Sequence, residues 1–149
     1  MGGDSINKNI DFDIIHEYYD LCITVDFDIP FWIEEAWKVR GNRLELMCGT
    51  GRISIPILAS GSALTCVDYS AGLLSRFKSK IAERNCDVDI IHMDVRELDL
   101  KQQFDLVFIG FNAFAEIITR ADQEKALQRI PTPIDSERNC SLEILEALT

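Results

Sequence analysis

The stretch Leu44-Glu45-Leu46-Met47-Cys48-Gly49-Thr50-Gly51, followed seventeen positions later by Asp68, decides how this chain reads. Leu44 and Leu46 predict a short apolar strand that runs into a turn containing Gly49 and Gly51. Glycine lets backbone approach a ligand where a Cβ would collide. A helix starting beyond the turn offers free N–H groups to a carboxylate or phosphate. Asp68 ends the next apolar run, and an acid at that strand tip suits the two hydroxyls of a ribose. These features point to a nucleoside carrying an anionic group.

Outward from that stretch, short apolar runs alternate with helical patterns. Upstream, residues 10–19 predict a short helix using Ile14, Ile15, Tyr18 and Tyr19, and residues 21–28 show no clear period. Phe31, Trp32, Ala36 and Trp37 recur at helical spacing and predict an amphipathic helix over 29–39, with Pro30 in its first turn. The first strand covers 43–47. Downstream, Ile53, Ile57 and Leu58 turn inward from a helix that stops near Gly61, and 63–67 is the second strand. Ser70 is an N-cap, and Leu73, Leu74, Phe77 and Ile81 form the buried stripe of the next helix, closed by Arg84-Asn85. Strands over 88–92 and 104–109 follow, the second ended by Gly110. A helix over 120–130 turns Ala126, Leu127 and Ile130 inward, and 141–148 reads as one more short helix. The alternation predicts an α/β fold, a mainly parallel sheet with helices on both faces.

Composition narrows the partners. With 149 residues, 47% of them hydrophobic, the chain is long enough for one domain with a core. No apolar run is long enough to span a bilayer, and no basic-then-apolar leader precedes the fold, so no membrane partner is expected. The net charge is −10, and residues 1–35 hold nine acids against Lys8 alone. Such a face repels polyanions, which argues against nucleic acid. It either attracts a cationic or amine substrate or serves as a solvated surface. Cys22, Cys48, Cys66, Cys86 and Cys140 stand apart, and His16 and His92 complete no metal spacing. The expectation is free thiols in a reducing cytoplasm, with no bound metal.

The glycine pattern separates two nucleotide readings. A dinucleotide fingerprint needs a third glycine for close helix–strand packing, and Arg52, Ile53 and Ser54 stand there instead. Glu45, the Gly49-Thr50-Gly51 turn, Asp68 and Asp94 together resemble motif I and its companions in the class I S-adenosylmethionine (SAM)-dependent methyltransferases. The resemblance runs from about Tyr18 to Ile130 and is closest to the branch that methylates small molecules. It implies a Rossmann-like core over 43–130, strand order 3-2-1-4, under an N-terminal helical cap over 1–40. It implies SAM as cofactor, S-adenosylhomocysteine as product and a small-molecule acceptor. By motif, Gly49 and Gly51 pass under the methionine part of SAM, and Glu45 orients the turn or holds a water. Asp68 accepts from the ribose hydroxyls, Tyr69 lies against the adenine, and Asp94 and Val95 meet its edge. Tyr19, in Tyr18-Tyr19-Asp20, resembles the tyrosine that covers the methionine end. Phe111, Asn112 and Phe114 follow the fourth strand where relatives position the acceptor, which makes Asn112 the candidate at the reacting end.

Plainer roles compete with several of these. Asp68 could cap the helix at Ser70, Asp94 could close a turn, Tyr19 could be a core aromatic, Glu45 could bond locally, and Asn112 could be a loop residue. Methyl transfer from a sulfonium relies on alignment, so no catalytic dyad is expected. The chain also departs from the family. Met47 occupies the first motif glycine's place. Only 39 residues follow Gly110, too few for the three further strands of a complete sheet, and no Pro-Gly-Gly turn occurs. The expectation is a truncated methyltransferase core with an atypical tail over 131–149. Two outcomes then compete: a methyltransferase, or a non-catalytic remnant that binds SAM weakly or serves as an interaction module. A fourth strand, Phe104 to Ile109, left without its outer neighbour predicts a homodimer through that edge.

Overall fold

The computed structural model describes residues 11–131. Within them, four parallel strands form one sheet in the order β3-β2-β1-β4. The strands are β1 (Arg43–Leu46), β2 (Leu64–Asp68), β3 (Val88–His92) and β4 (Leu106–Ile109). Central β1 registers Glu45 against Cys66 of β2 and against Phe108 of β4. Period-two alternation then sends Leu44, Leu46, Val67, Val107 and Ile109 to one face, and Leu64, Cys66, Leu106 and Phe108 to the other.

The second of these faces is the more fully covered. Against it pack α2 (Ile29–Lys38), α3 (Ser54–Ala59) and α4 (Ala71–Ile81), which contribute Trp32, Ala36, Ile57, Leu74 and Phe77. Trp32 stacks on Phe108 with ring centroids 4.6 Å apart. The other face is covered by α5 (Arg120–Arg129) and by 3-10 turns over Val95–Glu97 and Ala113–Glu116. The first helix, α1 (Phe12–Cys22), packs against α4.

Several element boundaries differ from the sequence reading. Asp11 caps α1 by accepting from the Asp13 N–H, and at the other end the Ile23 N–H still reaches the Tyr19 carbonyl, so the helix extends to Cys22. Its inward aromatic is Phe12, whereas Ile14 and Tyr18 face solvent. β1 ends at Leu46 because Met47 takes φ +58°, outside the extended region. β4 starts at Leu106, not Phe104, because the Asn42 carbonyl gathers both the Asp105 and Leu106 N–H groups. Trp37 and Leu127, expected inward, are exposed. Each follows a fully buried alanine (Ala36, Ala126) by one residue, a rotation of about 100° that carries it off the buried stripe. The 141–148 helix lies outside the described residues.

Candidate active site

The site grows from the turn after β1. Gly49 (φ +58°) and Gly51 (φ +85°) hold backbone that other residues rarely adopt. A Cβ on Gly51 would also stand 2.6 Å from the buried Phe77 ring. Asp68, at the tip of β2, holds this turn in place: its two carboxylate oxygens accept from the Gly49 N–H at 2.8 Å and the Ser70 N–H at 2.9 Å. Burial pushes its carboxyl above the ordinary range, and those backbone N–H groups pull it back. The helix cap itself is Ser70, which accepts from the Leu73 N–H. A carboxylate has about four acceptor positions, so Asp68 keeps lone pairs for further donors.

Beside Asp68 lies a cavity of about 590 Å³ at the carboxyl edge of the sheet. Met47, Val67, Met93, Val95 and Ile117 give it apolar walls, and Asp68, Tyr69, Asp94, Arg96 and Glu116 add polar groups. Of the residues expected at a ligand, Met47, Asp68, Tyr69, Asp94 and Val95 meet here. Met47, where the family pattern has glycine, is half-buried and forms part of the wall.

Tyr19 reaches the turn from above, its ring and hydroxyl 3.6–3.8 Å from where a Gly49 Cβ would stand. Burial is the first cause that pushes its phenol up to about 12, and the charges of Glu116 and Asp68 add to it. Phe12 contacts the edges of both Tyr19 and Tyr69, with centroids 5.8 and 6.3 Å away, and so links the two. Asp20 fastens α1 to the turn, accepting from Thr50 Oγ1 at 2.5 Å and Lys80 Nζ at 2.7 Å. Asp13 fastens the other end, accepting from Ser70 Oγ and the Gly72 N–H.

Glu45, Gly49, Gly51, Tyr19 and Asn112 do not line the cavity. The pleat turns Glu45 toward the covered face, where it accepts from Ser54 Oγ at 2.5 Å. Burial pushes its carboxyl up to about 8. Asp94 lines the cavity with both oxygens engaged by the Arg96 guanidinium, which holds its carboxyl below the usual range. Arg96 therefore has to share this acid with any ligand amino group. Asn112 is exposed at φ +46°, in the left-handed region that asparagine tolerates better than most residues.

Phe12, Arg96, Glu116 and Ile117 belong to the cavity and were missed in the sequence. The signal for Glu116 was available. Glu116 stands two residues beyond Phe114, carried to the cavity by the 3-10 turn Ala113–Glu116.

The methyltransferase domain family matches residues 44–132, and the chain belongs to it. The parallel sheet and the turn–acid edge are those of the class I SAM-dependent enzymes. The chain is 33% identical over 92 residues to YqeM of Bacillus subtilis (strain 168), whose own methyltransferase name is provisional; the match covers 61% of the chain and 37% of YqeM. It is 32% identical over 113 residues to the cypemycin N-terminal methyltransferase of Streptomyces sp., covering 73% and 44%. Among solved structures it resembles the glycopeptide N-methyltransferase MtfA complexed with SAM: TM-score 0.61, 26% identity, 70% of this chain and 50% of that one. The chain thus spans half or less of the length of these relatives.

Proposed function

We propose that this chain binds SAM along the carboxyl edge of the sheet and directs its methyl group to a nitrogen of a small-molecule or peptide acceptor. The carrying observation is Asp68, buried at the β2 tip, bonded to the glycine turn and lining the cavity. The residues present fit the cofactor. Asp68 lines the cavity with acceptor positions left for ribose hydroxyls, and the apolar walls suit an adenine. Bound there, SAM would supply an electrophilic methyl carbon on a neutral leaving group. Asp68 would hold the ribose hydroxyls, Tyr69 and Val95 would flank the base, and Tyr19 would shield the methionine end from water. Nitrogen as the acceptor atom is supported by the names of two similar proteins, the glycopeptide N-methyltransferase MtfA and the cypemycin N-terminal methyltransferase.

Calorimetry with SAM and S-adenosylhomocysteine tests the reading. Binding is expected, and Asp68→Ala should weaken it tenfold or more, since a hydrogen bond to a charged group contributes roughly 1.5–3 kcal/mol. An unchanged dissociation constant in the variant would remove Asp68 from the site.

The reading extends to setting and assembly. A reducing cytoplasm is supported by the free thiols of Cys22, Cys48, Cys66 and Cys86. A homodimer is supported by β4, whose outer edge pairs with no strand among the described residues. Its side chains from Leu106 to Ile109 are buried on both faces, so only the backbone edge is available for pairing. A Lys at the fully buried Val107 would break the core and not probe the edge. Sedimentation velocity at low micromolar concentration is the better test, and a strictly monomeric chain would reject the dimer.

A further inference from the structure

Glu116 ends the 3-10 turn after β4 and lines the cavity. Five carboxylates border this cavity: Asp11, Asp68, Asp94, Glu116 and Asp122, against one guanidinium, Arg96. That cation is spent on Asp94 and Asp122. Asp11 caps α1, and Asp68 holds two backbone N–H groups. Glu116 receives no hydrogen bond or ion pair from the described residues. Its charge nonetheless reaches Tyr19 and Tyr69, and the charge of Asp68 reaches it. Glu116 thus shares the cavity with Asp68 and Tyr69, two of the groups assigned to the cofactor, and is the one of its five acids with no partner among the described residues.

We propose that Glu116 binds the ammonium group of an amine acceptor and takes the proton that must leave before the nitrogen can be methylated. The proposal rests on the reading of the cavity as a methyl-transfer site. Methyl transfer itself needs little acid–base help, but an amine arrives protonated at neutral pH and has no lone pair to offer. The Glu116 carboxylate accepts one N–H proton and becomes a carboxylic acid. The freed lone pair forms the N–C bond as the carbon–sulfur bond breaks, its electron pair staying on sulfur. The proton passes from Glu116 to water, and nothing is oxidised or reduced. Desolvation, then the charge of Asp68, pushes Glu116 up to about 7, where a base works best at neutral pH. The residue is exposed at the cavity mouth, and water there limits that rise. Asp68 from β2 and the phenols of Tyr19 from α1 and Tyr69 face it; the two phenols stay neutral in this range, leaving Asp68 as the charge that disfavours its ionisation.

The test uses the full chain with ¹³C-labelled glutamate, the Glu116 carboxyl resonance being identified by its loss in Glu116→Gln. Its titration midpoint should lie well above that of an ordinary glutamate. Added n-butylammonium should lower it by about one unit or more, because a bound cation favours the carboxylate. Equal sodium chloride or n-butanol should not. Glu116→Gln should raise the n-butylammonium dissociation constant about tenfold, and Glu116→Asp should recover part of the loss. An ordinary midpoint, or one that moves equally with sodium, overturns the proposal. SAM calorimetry on the same samples keeps the two readings apart: failure to bind SAM removes the cofactor reading, and the response to n-butylammonium judges Glu116.

Discussion

The two faces of the sheet are built from similar residues and do different things. On one, Trp32, Phe77, Phe108, Ile57 and Cys66 are fully buried, and three helices close over them. On the other, Leu44, Leu46, Val67, Val107 and Ile109 are buried as deeply, but beyond the strand ends the cover among the described residues is 3-10 turns and α5. Short turns cannot fill the space that a helix fills, and the cavity opens there. The difference teaches where stability and ligand space separate in this fold. Trp32, Phe77 and Phe108 fill the helix-covered face, while the other face, with Phe104 as its one fully buried aromatic among the described residues, leaves its strand tips, Asp68 above all, accessible to a ligand.

Truncating one side chain on each face tests the difference in packing most directly. Trp32→Ala should lower unfolding stability by about 3–5 kcal/mol, as large aromatics in closed cores do. Ile117→Ala, beside a cavity that already leaves room, should lose about 2 kcal/mol or less. Urea unfolding measures both, and equal losses would mean the faces are packed alike. Next in size is Gly51→Ala, at the turn that joins the two faces. A positive φ and the Phe77 ring 2.6 Å from the new Cβ should together cost roughly 2–4 kcal/mol. A crystal structure in which the turn is unmoved and stability unchanged would show that the turn is looser than its geometry.

Glu45 gives a smaller, pH-dependent effect on the covered face. Between about pH 4.5 and 8 the folded protein keeps a proton that the unfolded chain has released. The contribution to stability is therefore full below the unfolded value and is lost as pH rises through that window. One proton sets a limit of about 1.4 kcal/mol per pH unit. Relaxation around so buried a group brings the expected gain of Glu45→Gln over wild type to about 1–2 kcal/mol at pH 8, and near zero at pH 5. Equal stability of the two proteins at both pH values would place Glu45 in a wetter setting. Smallest is Asp20→Ala. Its partly exposed pairs with Lys80 and Arg76 should contribute about 0.5–1 kcal/mol. Faster hydrogen exchange confined to α1 is the expected sign, and exchange spread through α4 would show that Asp20 supports the core.

Legibility followed the range of the forces involved. The α/β alternation, the glycine turn and the β2 acid were readable because periodicity, turn chemistry and helix capping act over a few residues, whereas the strand order came from the resemblance to the family. The Val88–His92 strand and the Ser70 cap came out at their observed positions for that reason. Glu45 was recognised as part of the motif, yet its partner Ser54 depends on which way the pleat turns, and the pleat is set by packing across the sheet. Asp94 was placed at the cavity, but its hold on Arg96, which also reaches Asp122 of α5, depends on distant chain segments meeting.

Periodicity and turn residues, which constrain the backbone locally, were enough for the α/β core, and the resemblance of Glu45, the Gly49-Thr50-Gly51 turn, Asp68 and Asp94 to a known motif added the family and the edge where a ligand belongs. Tertiary packing was needed to set Phe12 between Tyr19 and Tyr69, to spend Arg96 on two acids, and to leave Glu116 at the cavity without a partner among the described residues. Each of these sets a side chain against others far away in the chain, through burial and charge that no local pattern records.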